Sequence, residues 1–85
     1  MSVQDNAWAV RQSLKPKQKF LLLILSDAVN GHDHTGTVSA SRLSERTGIK
    51  PHRIDGLLGR LERARLIEYD WLPGEEYRVR LLIPA

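Results

Sequence analysis

The residues able to do chemistry in this chain are mostly cationic, and they are unevenly spread. Between Arg42 and Arg65 lie seven basic residues (Arg42, Arg46, Lys50, Arg53, Arg60, Arg63 and Arg65) against three acids, Glu45, Asp55 and Glu62. A second stretch, Arg11 to Lys19, holds four cations and no acid. From Leu66 to Ala85 the sign reverses, because Glu68, Asp70, Glu75 and Glu76 outnumber Arg78 and Arg80. A guanidinium presents a planar fork of donors that matches paired oxygens. Two cationic segments in a chain of net charge +3 therefore point to a polyanionic partner, with solvated helix faces as the plainer account of the same charges.

Catalysis has little to work with. Ser13, Ser26, Ser39, Ser41 and Ser44 offer hydroxyls, but none lies in a nucleophile-elbow pattern, and no glycine-rich phosphate loop is present. The pair His32-x-His34 invites a metal, yet there is no cysteine and no convincing third and fourth ligand for a tetrahedral site. The expectation is a protein that is not an enzyme and needs neither metal nor cofactor. Trp8, Tyr69, Trp71 and Tyr77 can be read as a stacking platform for single strands, but their spacing fits cross-strand packing of a hairpin better. The polar start, Met1 to Asn6, lacks the basic-then-apolar order of a secretory signal, and the apolar run Phe20 to Leu25 is too short to span a bilayer. The expected compartment is the cytoplasm.

A chain of 85 residues, 41% of them hydrophobic, supports one modest core. Asp5 or Asn6 can cap a short N-terminal helix carrying Ala7, Trp8 and Val10. Pro16 suits a first helical position, and Phe20, Leu21, Leu23, Ile24, Leu25, Ala28 and Val29 form a wide apolar stripe, so a central helix is expected from there to a left-handed stop at Asn30-Gly31. After the polar loop His32 to Gly36, Thr37-Val38-Ser39 reads as a short strand. Ser39 or Ser41 then caps a helix from about Ala40 to Thr47, Gly48 breaks it, and Pro51 starts another that runs to about Ala64. Leu66 to Trp71 and Tyr77 to Leu81 alternate around a turn at Leu72 to Glu76, which reads as a terminal β-hairpin. The fold class is mainly α with a small β-hairpin (α+β): residues 1–14 form an N-terminal extension and 15–85 the domain.

The middle of the chain is the specific part. Two helices separated by a short glycine turn, with Leu43 and Thr47 facing inward, Ser44 small at the crossing, Ile49 plugging the junction and Ile54 and Leu57 facing inward, meet the requirements of a helix-turn-helix. The stretch Arg42-Leu-Ser-Glu-Arg-Thr-Gly-Ile, with Ile54, Leu57-Leu58, Leu61-Glu62 and Leu66-Ile67, resembles the winged helix domains of prokaryotic transcription regulators and of plasmid or phage replication initiators. The resemblance covers about Lys15 to Leu82. It implies a three-helix core with a C-terminal wing that binds double-stranded DNA, with the helix from Pro51 as the recognition helix. On that mapping Lys50, His52, Arg53, Asp55 and Gly56 are the candidates for base edges, Arg53 foremost through a bidentate pair with guanine. Arg42, Arg46 and Arg60 suit phosphates, Ser39 and Ser41 can add hydrogen bonds near a helix N-terminus, and Arg78 can touch the backbone from the returning strand.

Three features depart from the family pattern. Gly56 and Gly59 stand inside the recognition helix, the turn Pro73-Gly74-Glu75-Glu76 is acidic where a wing tip meets phosphates, and Arg65 stands where a helix-ending glycine is usual, implying a different or strained cap. The resemblance implies a homodimer on paired half-sites, serving transcription or replication and partition. The alternative is a winged helix that presents the same face, or its acidic hairpin, to a protein partner.

Overall fold

The computed structural model describes residues 3–84. Met1, Ser2 and Ala85, the outer ends of the two expected segments, lie outside the described residues. The chain is α+β: helices α1 (Val3–Arg11), α2 (Pro16–Ala28), α3 (Ala40–Thr47) and α4 (Pro51–Arg63), and strands β1 (Thr35–Ser39), β2 (Ile67–Leu72) and β3 (Glu76–Leu81). The strands form one antiparallel sheet in the order β1-β3-β2. The expected hairpin is therefore only two thirds of the sheet. Among the described residues no helix is long and apolar enough to cross a membrane.

The core lies between α2, the inner face of the sheet and the apolar sides of α3 and α4. Leu21, Leu22 and Leu25 of α2 meet Leu43, Ile54, Leu58 and Leu61, while Ile67, Val79 and Leu81 close the sheet side. On β3 the inward residues Tyr77, Val79 and Leu81 alternate with outward Glu76, Arg78 and Arg80, as the two-residue period of a strand requires. Trp8 and Ala9 of α1 are buried in the same core. Phe20, expected inside, is instead 44% exposed, because it lies opposite the Leu21–Leu22–Leu25 stripe on α2.

Two expected helix ends are corrected. Asp5 and Asn6 lie within α1 rather than ahead of its first turn. Asp5 is fully buried, 2.9 Å from His34 Nδ1, and Asn6 Oδ1 accepts a hydrogen bond from Ser26 Oγ. At the other end of α2, Val29 takes up an extended conformation, and no left-handed stop forms at Asn30-Gly31. The Asn30 side chain accepts from the backbone N–H of His32 (3.0 Å) and Asp33 (2.9 Å), and the positive φ falls on His34 (60°). The loop thereby delivers Gly36 against the end of α2. β1 starts at Thr35 rather than Thr37 because its pairing with β3 begins at Thr35 and Arg80.

Candidate nucleic-acid interface

Local chemistry fixes the α3–α4 junction. Ser39 caps α3 by accepting the N–H of Arg42 at 3.1 Å, so its hydroxyl is already engaged; Ser41 Oγ lies 3.4 Å from it. Gly48 ends α3 in the left-handed region at φ 73°, donating its N–H to Ser44 O. Ser44 Oγ donates to the Ile49 carbonyl at 2.7 Å, and Thr47 Oγ1 accepts from the Ile49 N–H at 3.2 Å. The turn is thus held on both sides of Ile49. Lys50 stands at the N-terminus of α4 with no side-chain cap, and Pro51 opens the helix.

Helical spacing sorts the exposed residues of α4 into two edges and a ridge. Ile54, Leu58 and Leu61 are buried, with Leu57 half-buried beside them. Arg53 and Arg60 lie on the edge facing the start of α2, where they share a groove of about 550 Å³ with Lys15, Lys17, Ile49 and Leu57. Lys50 and His52 adjoin it in a hollow that again includes Lys17 and Arg53. Asp55 lies on the other edge, where it accepts a long (3.5 Å) hydrogen bond from the Tyr77 hydroxyl, so it faces the sheet rather than the outer ridge. The ridge itself carries His52, Gly56 and Arg63.

The sheet side of α4 is aromatic. Tyr77 meets Tyr69 and Trp71 edge to face, with ring centroids 5.9 and 4.8 Å apart, as cross-strand packing of the hairpin predicts. Burial raises the Tyr69 phenol, and the carboxylates of Asp55 and Glu62 add to it against the opposing charge of Arg63. Tyr77 is raised likewise by burial, then by Asp55 and Tyr69, with its hydrogen bond to Asp55 acting in the same direction.

The remaining candidates fall elsewhere. Arg42 and Arg46 line a separate hollow with Ser39, Ser41 and Glu45, and Arg46 lies 3.8 Å from Asp27. Arg78 sits on the sheet face turned away from α4, paired with Asp70 at 3.3 Å, next to the Arg80–Glu68 pair at 2.5 Å. The turn Pro73 to Glu75 does not project: Leu72 and Ser39 both pair with Glu76, so all the strands end level, and the Ala40 N–H donates to the Glu75 carbonyl at 2.9 Å. Reading the sequence alone left Lys15 and Lys17 out of the site. Their signal was the acid-free run Arg11 to Lys19, which the start of α2 carries to the Arg53 edge.

Among the described residues no group of three His, Cys, Asp or Glu side chains is placed to hold a metal ion. Lys15, Lys17, Lys50, Arg53 and Arg60 form no ion pair among the described residues, so the structure brings together five uncompensated cations along one edge of α4. No protein-family model, curated protein sequence or solved structure matches this chain.

Proposed function

We propose that the chain is a winged helix-turn-helix domain that binds double-stranded DNA through α4 and the cations beside it. The observation that carries this reading is the set of unpaired cations, Lys15, Lys17, Lys50, Arg53 and Arg60, beside a helix that a left-handed glycine turn joins to α3. Unpaired cations along the rim of this groove meet phosphates without first breaking an internal ion pair. Arg53, common to both hollows, is the residue for a bidentate base contact, and Lys15 and Lys17 hold the flanking backbone. Arg78 and the acidic turn have no part in the contact, since one is paired and the other repels phosphate. The resemblance, rather than the geometry of one chain, is what implies a homodimer on half-sites about 34 Å apart, in a regulator or a replication protein.

A second reading, a winged helix that docks a protein, is favoured by Gly56, which leaves the ridge of α4 without a side chain where a base reader would stand. Fluorescence anisotropy with a random duplex over a salt series separates the two. DNA binding through this edge predicts affinity that falls steeply with salt, with Arg53→Ala and Arg60→Ala both weaker than the parent. Absence of any salt-sensitive affinity defeats the DNA reading and leaves the protein-docking one.

A further inference from the structure

Gly56 has no reason to be glycine inside the molecule. It occupies the interior of α4, where glycine costs about 1 kcal/mol against alanine, and a Cβ there would meet nothing within 4 Å. Its φ is ordinary, so no backbone strain calls for it. Gly56 does line the groove between α2 and α4, whose floor is apolar (Pro16, Ile49, Leu57) and whose rim carries Lys15, Lys17, Arg53 and Arg60 with no acid. A smooth apolar floor inside a cationic rim suits an apolar knob framed by carboxylates better than it suits a phosphate alone.

The chain carries such a knob. Trp71 is 55% exposed at the end of β2, standing edge to face on Tyr77. On the same face Asp55 lies within reach of the Tyr77 hydroxyl, and the turn that follows β2 bears the exposed Glu75; neither carboxylate forms an ion pair among the described residues, while Glu76 points to the opposite face of the sheet. Groove and knob lie on opposite edges of α4, because Arg53 and Asp55 are two residues apart on a helix. One copy therefore cannot fill its own groove.

We propose that the groove between α2 and α4 receives the Trp71 end of the hairpin of a second copy of this chain, in a head-to-tail contact. Each contact leaves one groove and one knob unused, so association continues into short chains rather than closing at a dimer. It also draws on Lys15, Lys17, Arg53 and Arg60, so self-association and duplex binding exclude one another. One indole and a few ion pairs make a contact below the standard interface size, and association is accordingly weak.

Sedimentation velocity without nucleic acid tests this, from about 10 μM to about 1 mM protein at low and high salt. The native chain gives a sedimentation coefficient that climbs with concentration and falls back in high salt. Trp71→Ala and Gly56→Gln each weaken association at least tenfold. Gly56→Gln fills the groove and, with open space at that site, keeps the fold; Glu75→Lys, which leaves the ring pair intact, serves if Trp71→Ala does not fold. An equimolar mixture of the two variants then forms dimers that grow no further, since one supplies the groove and the other the knob. A native chain monomeric throughout, a variant that associates like the parent, or a mixture that stays monomeric overturns the proposal. None of these results touches the DNA reading, which the anisotropy series judges separately.

Discussion

Gly36 lies in β1 where the strand passes the end of α2, and replacing it with alanine probes how tightly the two are joined. A Cβ at this position would lie 2.2 Å from the Ala28 carbonyl oxygen and 2.9 Å from both Ala28 C and Val29 Cα. All three are backbone atoms, so no side chain can rotate away. The strand or the helix end must move by about 1 Å, and the ladder to β3 resists the first movement while core packing around Leu25 and Val29 resists the second. Overpacking against backbone belongs at the upper end of its usual range, about 3 kcal/mol. For a domain of this size that is a fall in Tm of about 12–24 °C, out of a total stability of roughly 4–13 kcal/mol. Thermal melting followed by circular dichroism measures it, with Gly56→Ala as the matched control. That control makes the same chemical change in open space within a helix, and its Tm should rise by about 4–8 °C. A Gly36→Ala protein melting within about 4 °C of the parent would refute the claim that β1 and α2 are in rigid backbone contact.

Arg65→Gly should stabilise the chain. Arg65 sits at φ 63° while its N–H donates to Glu62 O and that of Leu66 to Leu61 O, the bond pair of a helix stop that normally holds glycine. Removing about 1–2 kcal/mol of left-handed strain, less glycine's extra unfolded-state freedom, nets about 1 kcal/mol, readable as a higher denaturant midpoint. Tyr69 and Tyr77, both raised above the ordinary 10.0, favour the neutral phenol in the fold. Their contribution is complete below the unfolded value and is lost as pH climbs through the raised one, so Tm should drop only in strong alkali. Tyrosinate absorbance appearing at or below pH 10.0 in the native state would contradict this, and Asp55→Asn should move the titration back toward the ordinary value. In duplex binding, Lys17→Ala should reduce the slope of log affinity against log salt by about 1, while Arg78→Ala, already paired with Asp70, should leave it unchanged.

Much of the scaffold was legible because local signals dominate it. Pro16 and Pro51 open α2 and α4 at the expected residues, and Gly48 and the Ser39 cap bound α3 as foreseen. Both hairpin strands fall within a residue of their expected ends. What escaped depends on tertiary partners. Asp5 reads as a helix cap until the loop brings His34 to it, and Phe20 reads as core until the other leucines of α2 claim the buried stripe. The left-handed residue after α2 moved from Asn30-Gly31 to His34 because the Asn30 side chain, invisible to a glycine-counting argument, takes over the turn. Within the candidate site, Arg53 and Arg60 come from the mapping onto the winged helix pattern, and the structure sets both along the groove beside α2. Asp55 was placed with them because sequence does not say which flank of α4 the sheet covers, and Lys15 and Lys17 were left out because their helix lies far away in the chain.

The hydrogen bond from Ala40 N–H to the Glu75 carbonyl, at 2.9 Å, has a consequence for how this domain can be rebuilt. It means that the chain from Ala40 to Glu75 begins and ends at one place, with α3 leaving β1 beside the turn that carries β2 into β3, like a loop clasped at its neck. Because the neck is closed by backbone atoms, its geometry is independent of the side chains displayed beyond it. The surface of α4 can therefore be rewritten wholesale without moving the clasp. Lengthening the Pro73–Glu75 turn to make a projecting arm, by contrast, would open the neck and release the start of α3 with it.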